Sequence, residues 1–142
     1  MRISIGCDHA GYQLKNKIKE VLSEQGHQVE DCGCFSEESV DYPDFAHEVC
    51  NSIGAGNSEL GILICGSGNG ISMAANKHQH IRAALSWTPE IAALGRQHNN
   101  ANIVSIPARY VSEEEGIEIV KTFLTTEFEG GRHERRVNKI SC

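Results

Sequence analysis

Leu60-Gly61-Ile62-Leu63-Ile64-Cys65-Gly66-Ser67-Gly68-Asn69-Gly70 runs directly into Ile71-Ser72-Met73-Ala74-Ala75-Asn76-Lys77. The apolar run 60–64 has the pattern of a fully buried strand, and the residues from Ile71 read as the start of a helix. A thiol, Cys65, therefore sits at a strand's carboxyl end, followed by a glycine-rich turn and a helix N-terminus. Open α/β sheets bind ligands at such places. Glycines let backbone amides approach a ligand closely, and the helix dipole favours negative charge there. The same field favours the thiolate, the reactive form of cysteine. One short segment thus offers a candidate base or nucleophile beside a candidate anion hole.

Outward from this segment, two patterns alternate along the chain. Ile3 to Gly6 is a short apolar strand, and Tyr12 to Gln25 carries Leu14, Ile18, Val21 and Leu22 at helical spacing before Gly26 stops it. His27 to Asp31 reads as a weaker strand, and Asp44 to Ile53 as a helix with Phe45, Ala46, Val49 and Ile53 on one face. Ile81 to Leu85 reads as a strand, and Thr88-Pro89 as an N-cap with proline in the first helical position, opening a helix to about His98. Ile103 to Ile106 is a strand, and Ser112-Glu113-Glu114-Glu115 has capping-box spacing for a helix through about Leu124. The tail from Gly131 to Ile140 is basic and helical at its end. Strand alternating with helix predicts an α/β fold: a three-layer αβα sandwich around a Rossmann-like parallel sheet of about five strands. No linker, repeat or low-complexity segment interrupts residues 1–142, so a single domain is the simplest reading.

Composition bounds the function. A chain of 142 residues with 39% hydrophobic and 23% charged residues is ordinary for a soluble globular protein. A net charge of −6 argues against nucleic acid as the main partner. No stretch approaches the roughly 20 apolar residues of a membrane span, and Met1 to Gly6 turns polar too early for a signal peptide. The six cysteines, Cys7, Cys32, Cys34, Cys50, Cys65 and Cys142, are expected as free thiols in a reducing cytoplasm.

Chemistry should gather at the strand carboxyl ends. Cys7-Asp8-His9-Ala10-Gly11 follows the first strand, the Cys65 turn follows the central one, and Arg109 follows the last. Gln97-His98-Asn99-Asn100 ends the Pro89 helix. Converging loops would bring Asp8, His9, Cys65, Ser67, His98 and Asn99 around one pocket. Arg132 and Arg136 lie four apart in an otherwise acidic chain, a spacing that suits phosphate binding from one helix face. Each feature also has a plainer reading. Cys65 is equally a small core residue, the glycines serve a tight turn, and Asp8 caps the first helix. His98 is equally a helix C-terminal residue interacting with the dipole, and the arginines a solvated surface or a dimer contact. Cys32-x-Cys34 lacks a second pair with matching spacing, so no metal site is expected there. His27, His47, His78, His80 and His133 read most simply as surface histidines.

Taken together, the motifs say more than their parts. Gly6-Cys7-Asp8-His9-Ala10-Gly11, Asp41-Tyr42-Pro43, Ile64-Cys65-Gly66-Ser67-Gly68-Asn69-Gly70, Ala74-Ala75-Asn76-Lys77, Arg96-Gln97-His98-Asn99-Asn100-Ala101-Asn102 and Glu129-Gly130-Gly131-Arg132-His133 occur in this order. In this the chain closely resembles the ribose-5-phosphate isomerase B family, within the wider group that includes the galactose-6-phosphate isomerase subunits. The resemblance covers essentially the whole chain.

The resemblance implies an aldose–ketose isomerase without metal or cofactor, interconverting ribose 5-phosphate and ribulose 5-phosphate through a cis-enediolate. Cys65 matches the family's catalytic base, and the amides of Gly66 to Gly70, with Gly68 and Asn69 between, match its anion hole. Ser67 matches a hydroxyl residue that helps move protons between sugar oxygens. His98 matches the residue proposed to open the furanose ring, with Asp8 and Tyr42 near the sugar and Asn99 bonded to its oxygens. His9, Arg132 and Arg136 match phosphate-binding positions, with Arg109 a weaker candidate. The family is dimeric with sites shared between subunits, so a homodimer, or a dimer of dimers, is expected. Some relatives carry glutamate at the position of Asn69 and serine at that of Cys65; here Asn69 is no base, which leaves the cysteine. The cysteine also disfavours the galactose-6-phosphate subunits, while six-carbon substrates such as allose 6-phosphate stay open. Two rivals remain. A non-catalytic flavodoxin-like module would explain the glycines and arginines but not the thiol, aspartate and histidines beside them. A cysteine-dependent phosphatase would want an arginine within Gly66 to Gly70, which has none.

Overall fold

Buried strands alternating with amphipathic helices have one economical packing, a parallel sheet covered on both faces. The computed structural model describes residues 1–142. Its strands are β1 (Arg2–Cys7), β2 (Gln28–Asp31), β3 (Leu60–Cys65), β4 (Ala83–Leu85) and β5 (Ile103–Pro107). Its helices are α1 (Tyr12–Glu24), α2 (Tyr42–Gly54), α3 (Asn69–Ala75), α4 (Pro89–Asn99), α5 (Glu113–Thr125) and α6 (Arg132–Val137). The strands form one five-stranded sheet in the order β2-β1-β3-β5-β4, every neighbouring pair parallel. The expected αβα sandwich is present, with β4 placed outside β5, against chain order.

Side-chain alternation along the strands divides the core. Ile62 and Ile64 of β3, with Val104 and Ile106 of β5, pack with Leu14, Ile18, Ile119 and Phe123 under α1 and α5. Leu63 and Cys65, with Ile103, pack with Ala46, Val49, Ile71 and Ala75 under α2 and α3. The side chain of Cys65 thus faces the α2–α3 layer.

Several local signals act as the sequence implies. The Thr88 hydroxyl accepts from the Ile91 amide at 3.2 Å, and Ser112 with Glu115 forms both halves of a capping box. Other boundaries shift for identifiable reasons. The strand expected from Ile81 starts at Ala83, because the Ile81 amide closes a turn on the His78 carbonyl at 3.0 Å. Helix α2 starts at Tyr42 rather than Asp44, with Pro43 in the first turn, where a missing N–H costs nothing. Helix α3 starts at Asn69, directly after Gly68 at φ 75°.

The edge strand is closed by a side chain. Asn76, which caps α3, donates from Nδ2 to the Ala83 carbonyl at 3.0 Å, and its Oδ1 accepts from the Ala83 amide at 2.8 Å. On the other flank a fully buried lysine ties α1 to β2. Lys15 donates to Asp31 Oδ1 at 2.7 Å and to the Cys34 carbonyl, while Lys19 holds Asp31 Oδ2. Burial alone would raise the Asp31 pKa, but the bonds from Lys15, Lys19 and the Gly33 amide outweigh it and hold the carboxyl below its ordinary 3.8. A depressed carboxylate contributes stability that is present above its unfolded value and lost as pH falls through its folded value. Wild-type stability should therefore drop below pH 3.8 with an Asp31-dependent component. In urea titrations across that window, Asp31→Asn should lose stability with falling pH less steeply than wild type; parallel declines would remove Asp31 from the acid response.

Candidate active site

The chain leaves β1 toward β2 on one side and leaves β3 toward β4 and β5 on the other, although β1 and β3 are neighbours. The carboxyl ends of such a pair open a crevice between diverging connections. Cys7 and Asp8 border it from β1, and Cys65 borders it from β3, with the Asp8 amide donating to the Ile64 carbonyl at 3.1 Å.

The turn after Cys65 admits only glycine at its tightest point. Gly68 has a left-handed φ of 75°, and a Cβ there would collide with Leu85 and press on the backbone of Ile106. This fold-back aims the Gly68 amide at the Cys65 sulfur, 3.2 Å away. Cys65 is 5% exposed, so its sulfur is buried with that N–H as its hydrogen-bond donor. The exposed Ser67 hydroxyl accepts from the Asn69 amide at 3.3 Å. The Tyr42 ring lies on Gly70, with its hydroxyl 2.7 Å from where a Cβ would stand. Arg109 folds over Gly66 from the end of β5, its Nη1 3.1 Å from the corresponding point, and its amide donates to the Gly66 carbonyl at 3.0 Å.

Asp8 caps the short 3-10 turn His9–Gly11 ahead of α1 rather than α1 itself, whose N-cap is Gly11: its Oδ1 accepts from the Ala10 amide at 3.0 Å in a buried position. His9 Nδ1 accepts from the Val40 amide at 3.3 Å, so the neutral ring carries its proton on Nε2. Asp8, His9, Tyr42, Cys65, Gly66, Ser67, Gly68, Asn69, Gly70 and Arg109 thus belong to one end of the sheet.

His98 and Asn99 do not. Helix α4 begins after the carboxyl end of β4 and returns about 16 Å to the amino end of β5. That amino edge is marked by the Asn102 amide bonded to the Arg82 carbonyl at 3.0 Å, just ahead of β5 and β4. Asn99 lines a surface hollow there with Arg82, Ala83 and Ile140. Arg132 and Arg136 go with them, because α6 packs on α4 and the Glu129 amide bonds the Gln97 carbonyl at 3.1 Å. The expected convergence of His98 and Asn99 with Cys65 therefore does not occur within one chain. A helix antiparallel to its strands delivers its end to the opposite edge.

The amino edge holds a residue that the sequence reading assigned to the surface. His133 is only 8% exposed and stacks on His98, ring centroids 4.3 Å apart and planes 9° from parallel. Desolvation, then His98 and Arg132, lower its pKa and favour the neutral ring, against Glu129 at 3.7 Å. Nothing in the charged run from Arg132 to Arg136 marks His133 as the buried member; the packing of α6 on α4 does. His47 and His78 are also joined, at 2.8 Å, and His80 Nε2 meets the Cys50 carbonyl at 2.9 Å.

All six cysteines are free, and they are not equivalent. Cys7 and Cys34 sit with sulfurs 3.8 Å apart in the core. Burial pushes the thiols of Cys7, Cys32 and Cys50 up to about 12, aided by Cys34 beside Cys7 and by Glu30 beside Cys32. Since the thiolate is the nucleophile, native iodoacetamide labelling near neutral pH should modify exposed Cys142 at least about tenfold faster than Cys7, Cys32 or Cys50. Peptide mass mapping over time checks the order; early labelling of Cys7 or Cys50 would contradict these environments.

Known proteins match this chain in sequence and in fold. A family model described as Ribose/Galactose Isomerase matches residues 3–140. Ribose-5-phosphate isomerase B of Escherichia coli (strain K12) is 44% identical over 141 residues, covering 99% of this chain and 95% of that protein. A solved ribose 5-phosphate isomerase from Thermotoga maritima superposes with a TM-score of 0.97 at 52% identity, covering 99% of this chain and 97% of that one. Ribose-5-phosphate isomerase B from Mycoplasma genitalium, solved with bound ribulose-5-phosphate, gives a TM-score of 0.93 at 45% identity over 98% of this chain and 93% of that one. On the match of residues 3–140 and near-full-length identity, the chain belongs to the ribose/galactose isomerase family.

Proposed function

We propose that this chain is a cytoplasmic aldose–ketose isomerase, a single domain of residues 1–142 that interconverts ribose 5-phosphate and ribulose 5-phosphate. The observation that carries the reading is the Gly68 amide aimed at the buried Cys65 sulfur within a turn that only glycine can make at position 68. An enediolate needs a base over carbon and donors toward oxygen, and this turn supplies both. The Cys65 thiolate takes the proton from C2. The C2–H electrons form the C1–C2 double bond, and the carbonyl electrons move onto oxygen. Amides of the Gly66 to Gly70 turn other than those bonded to the Cys65 sulfur and the Ser67 hydroxyl receive that oxygen, and Ser67 passes the proton between O1 and O2. The proton on sulfur then returns to C1. Asp8 and Tyr42 border the sugar, and His9 and Arg109 lie on the same edge for its phosphate.

The remaining groups come from a second copy. His98, Asn99, Arg132 and Arg136 lie across the sheet from Cys65 in their own chain, so a homodimer in which one copy's amino edge faces the other's carboxyl edge completes both sites. His98 would then open the furanose ring, Asn99 bind sugar oxygens, and the arginines clamp phosphate. The exposed Met73 and half-buried Leu85, which line a hollow with Asn69 and Lys77, offer apolar surface beside the turn for such a contact.

Two experiments test this. Purified protein with a chelator present should convert ribose 5-phosphate to ribulose 5-phosphate, and Cys65→Ala should lower kcat by about 10²–10⁴-fold, the usual worth of a positioned base. Retained turnover in Cys65→Ala would remove the thiol as base. Mixed after co-dissociation, the inactive variants Cys65→Ala and His98→Ala should recover roughly a quarter of wild-type sites, because each hybrid dimer rebuilds one complete site. No recovery in verified hybrids would place His98 and Cys65 in the same subunit's site.

A further inference from the structure

Cys7 and Cys34 face each other in the core with their sulfurs 3.8 Å apart, in van der Waals contact. We propose that this pair is an oxidation site: hydrogen peroxide converts it to an intramolecular disulfide that tethers the segment after β2 to β1, and a dithiol reductant reverses it. The inference does not depend on the isomerase reading.

The backbone holds the two residues side by side. The Cys7 amide donates to the Gly33 carbonyl at 2.7 Å, and the Cys34 amide donates to the Cys7 carbonyl at 2.9 Å. The chain after β2 therefore runs along the end of β1, and both thiols leave it on the same face. A disulfide needs sulfurs about 2.05 Å apart. Each sulfur swings on a single side-chain torsion, so the remaining approach of about 1.8 Å lies within side-chain reach.

The sheet separates this pair from the candidate site's thiol. Cys7 and Cys34 pack in the layer under α1 and α5, whereas Cys32, Cys50 and Cys65 pack on the opposite face under α2 and α3. The two members also differ from one another. Cys7 ends β1 and is fully buried, and burial with Cys34 beside it pushes its thiol up to about 12. Cys34 is 3% exposed but belongs to the irregular stretch between β2 and α2, where residues 35–39 are all exposed. Its thiol donates to the Ser36 carbonyl at 3.3 Å, within that stretch. A segment with few buried side chains opens more easily than a central strand, so Cys34 meets the oxidant first. The Lys15 ammonium, bonded to the Cys34 carbonyl, supplies positive charge beside the pair.

The chemistry balances in that order. The Cys34 sulfur attacks one peroxide oxygen and the O–O bond breaks. The thiol proton leaves with the departing oxygen as water, and a sulfenic acid remains on Cys34. The Cys7 sulfur then attacks the Cys34 sulfur, the S–O bond breaks, and the Cys7 proton leaves with that oxygen as a second water. Each sulfur gives up one electron in the net reaction, and the peroxide takes both. The new bond closes a loop of roughly 28 residues, which restricts the unfolded chain.

The test follows thiols and stability together. Reduced wild-type protein is treated with hydrogen peroxide in native buffer, its remaining thiols are alkylated in denaturant, and unreduced peptides are mapped by mass. A Cys7–Cys34 linked peptide should appear, and dithiothreitol should abolish it. Cys32→Ser and Cys65→Ala should form the link as wild type does. Cys34→Ser, with its fold checked by circular dichroism, should not. The urea midpoint of wild type relative to Cys34→Ser should rise on peroxide treatment and fall back on reduction. Oxidation of Cys65 or Cys142 while Cys7 and Cys34 stay fully alkylatable overturns the pair, and so does a link that forms only in urea. A linked protein whose relative midpoint does not rise overturns the tether.

Discussion

The architecture of the candidate site depends on one steric constraint, the absence of a side chain at Gly68. The left-handed turn there brings backbone against Leu85 of the edge strand β4 and Ile106 of its neighbour β5, and swings an amide back onto Cys65. A side chain would have to displace the strand ends, because it would collide with half-buried Leu85 and stand 3.3 Å from the backbone of fully buried Ile106. The close approach that packs α3 against the sheet is therefore the same approach that orients an N–H at sulfur. Packing and polarity are not separately adjustable at this point, and the Tyr42 ring seated on Gly70 extends the constraint to the start of α2.

The second determinant is direction. In a parallel sheet every helix returns the chain to the amino edge, so residues at the start and end of one helix lie on opposite sides of the molecule. Trp87 and Thr88 precede α4 at the carboxyl edge, while His98 and Asn99 close it at the other. The basic helix α6 packs on α4 near that end, with its arginines exposed and its histidine turned inward. Each chain thus presents two incomplete chemistries, a thiol with amide donors and an imidazole with guanidinium groups, back to back across one sheet. This is the physical ground for reading the functional unit as two copies.

Much of this was legible in the residues. Gly26, Thr88-Pro89 and the Ser112–Glu115 box mark helix ends by local chemistry, and local chemistry survives folding. The apolar run at 60–64 announced the central strand because burial on both faces leaves no polar alternation to confuse it. What failed were the features that depend on tertiary arrangement. Nothing in Ala83 to Leu85 records that this strand lies outside β5, and nothing in Arg132 to Arg136 records that His133 alone turns inward onto His98. The placement of His98 was recoverable in principle, since an 11-residue helix in a parallel fold can end only at the far edge. Grouping residues by motif rather than by strand polarity obscured it.

Asn76 carries a consequence of a different kind. Its amide group meets both the donor and the acceptor of Ala83, standing where the backbone of a sixth strand would otherwise lie. A short sheet margin with open positions invites strands from partly unfolded neighbours, the first step toward cross-β aggregates. Here the invitation is already answered from within the chain. The molecule remains free to associate through helices and loops while this margin of its sheet stays closed to templated growth.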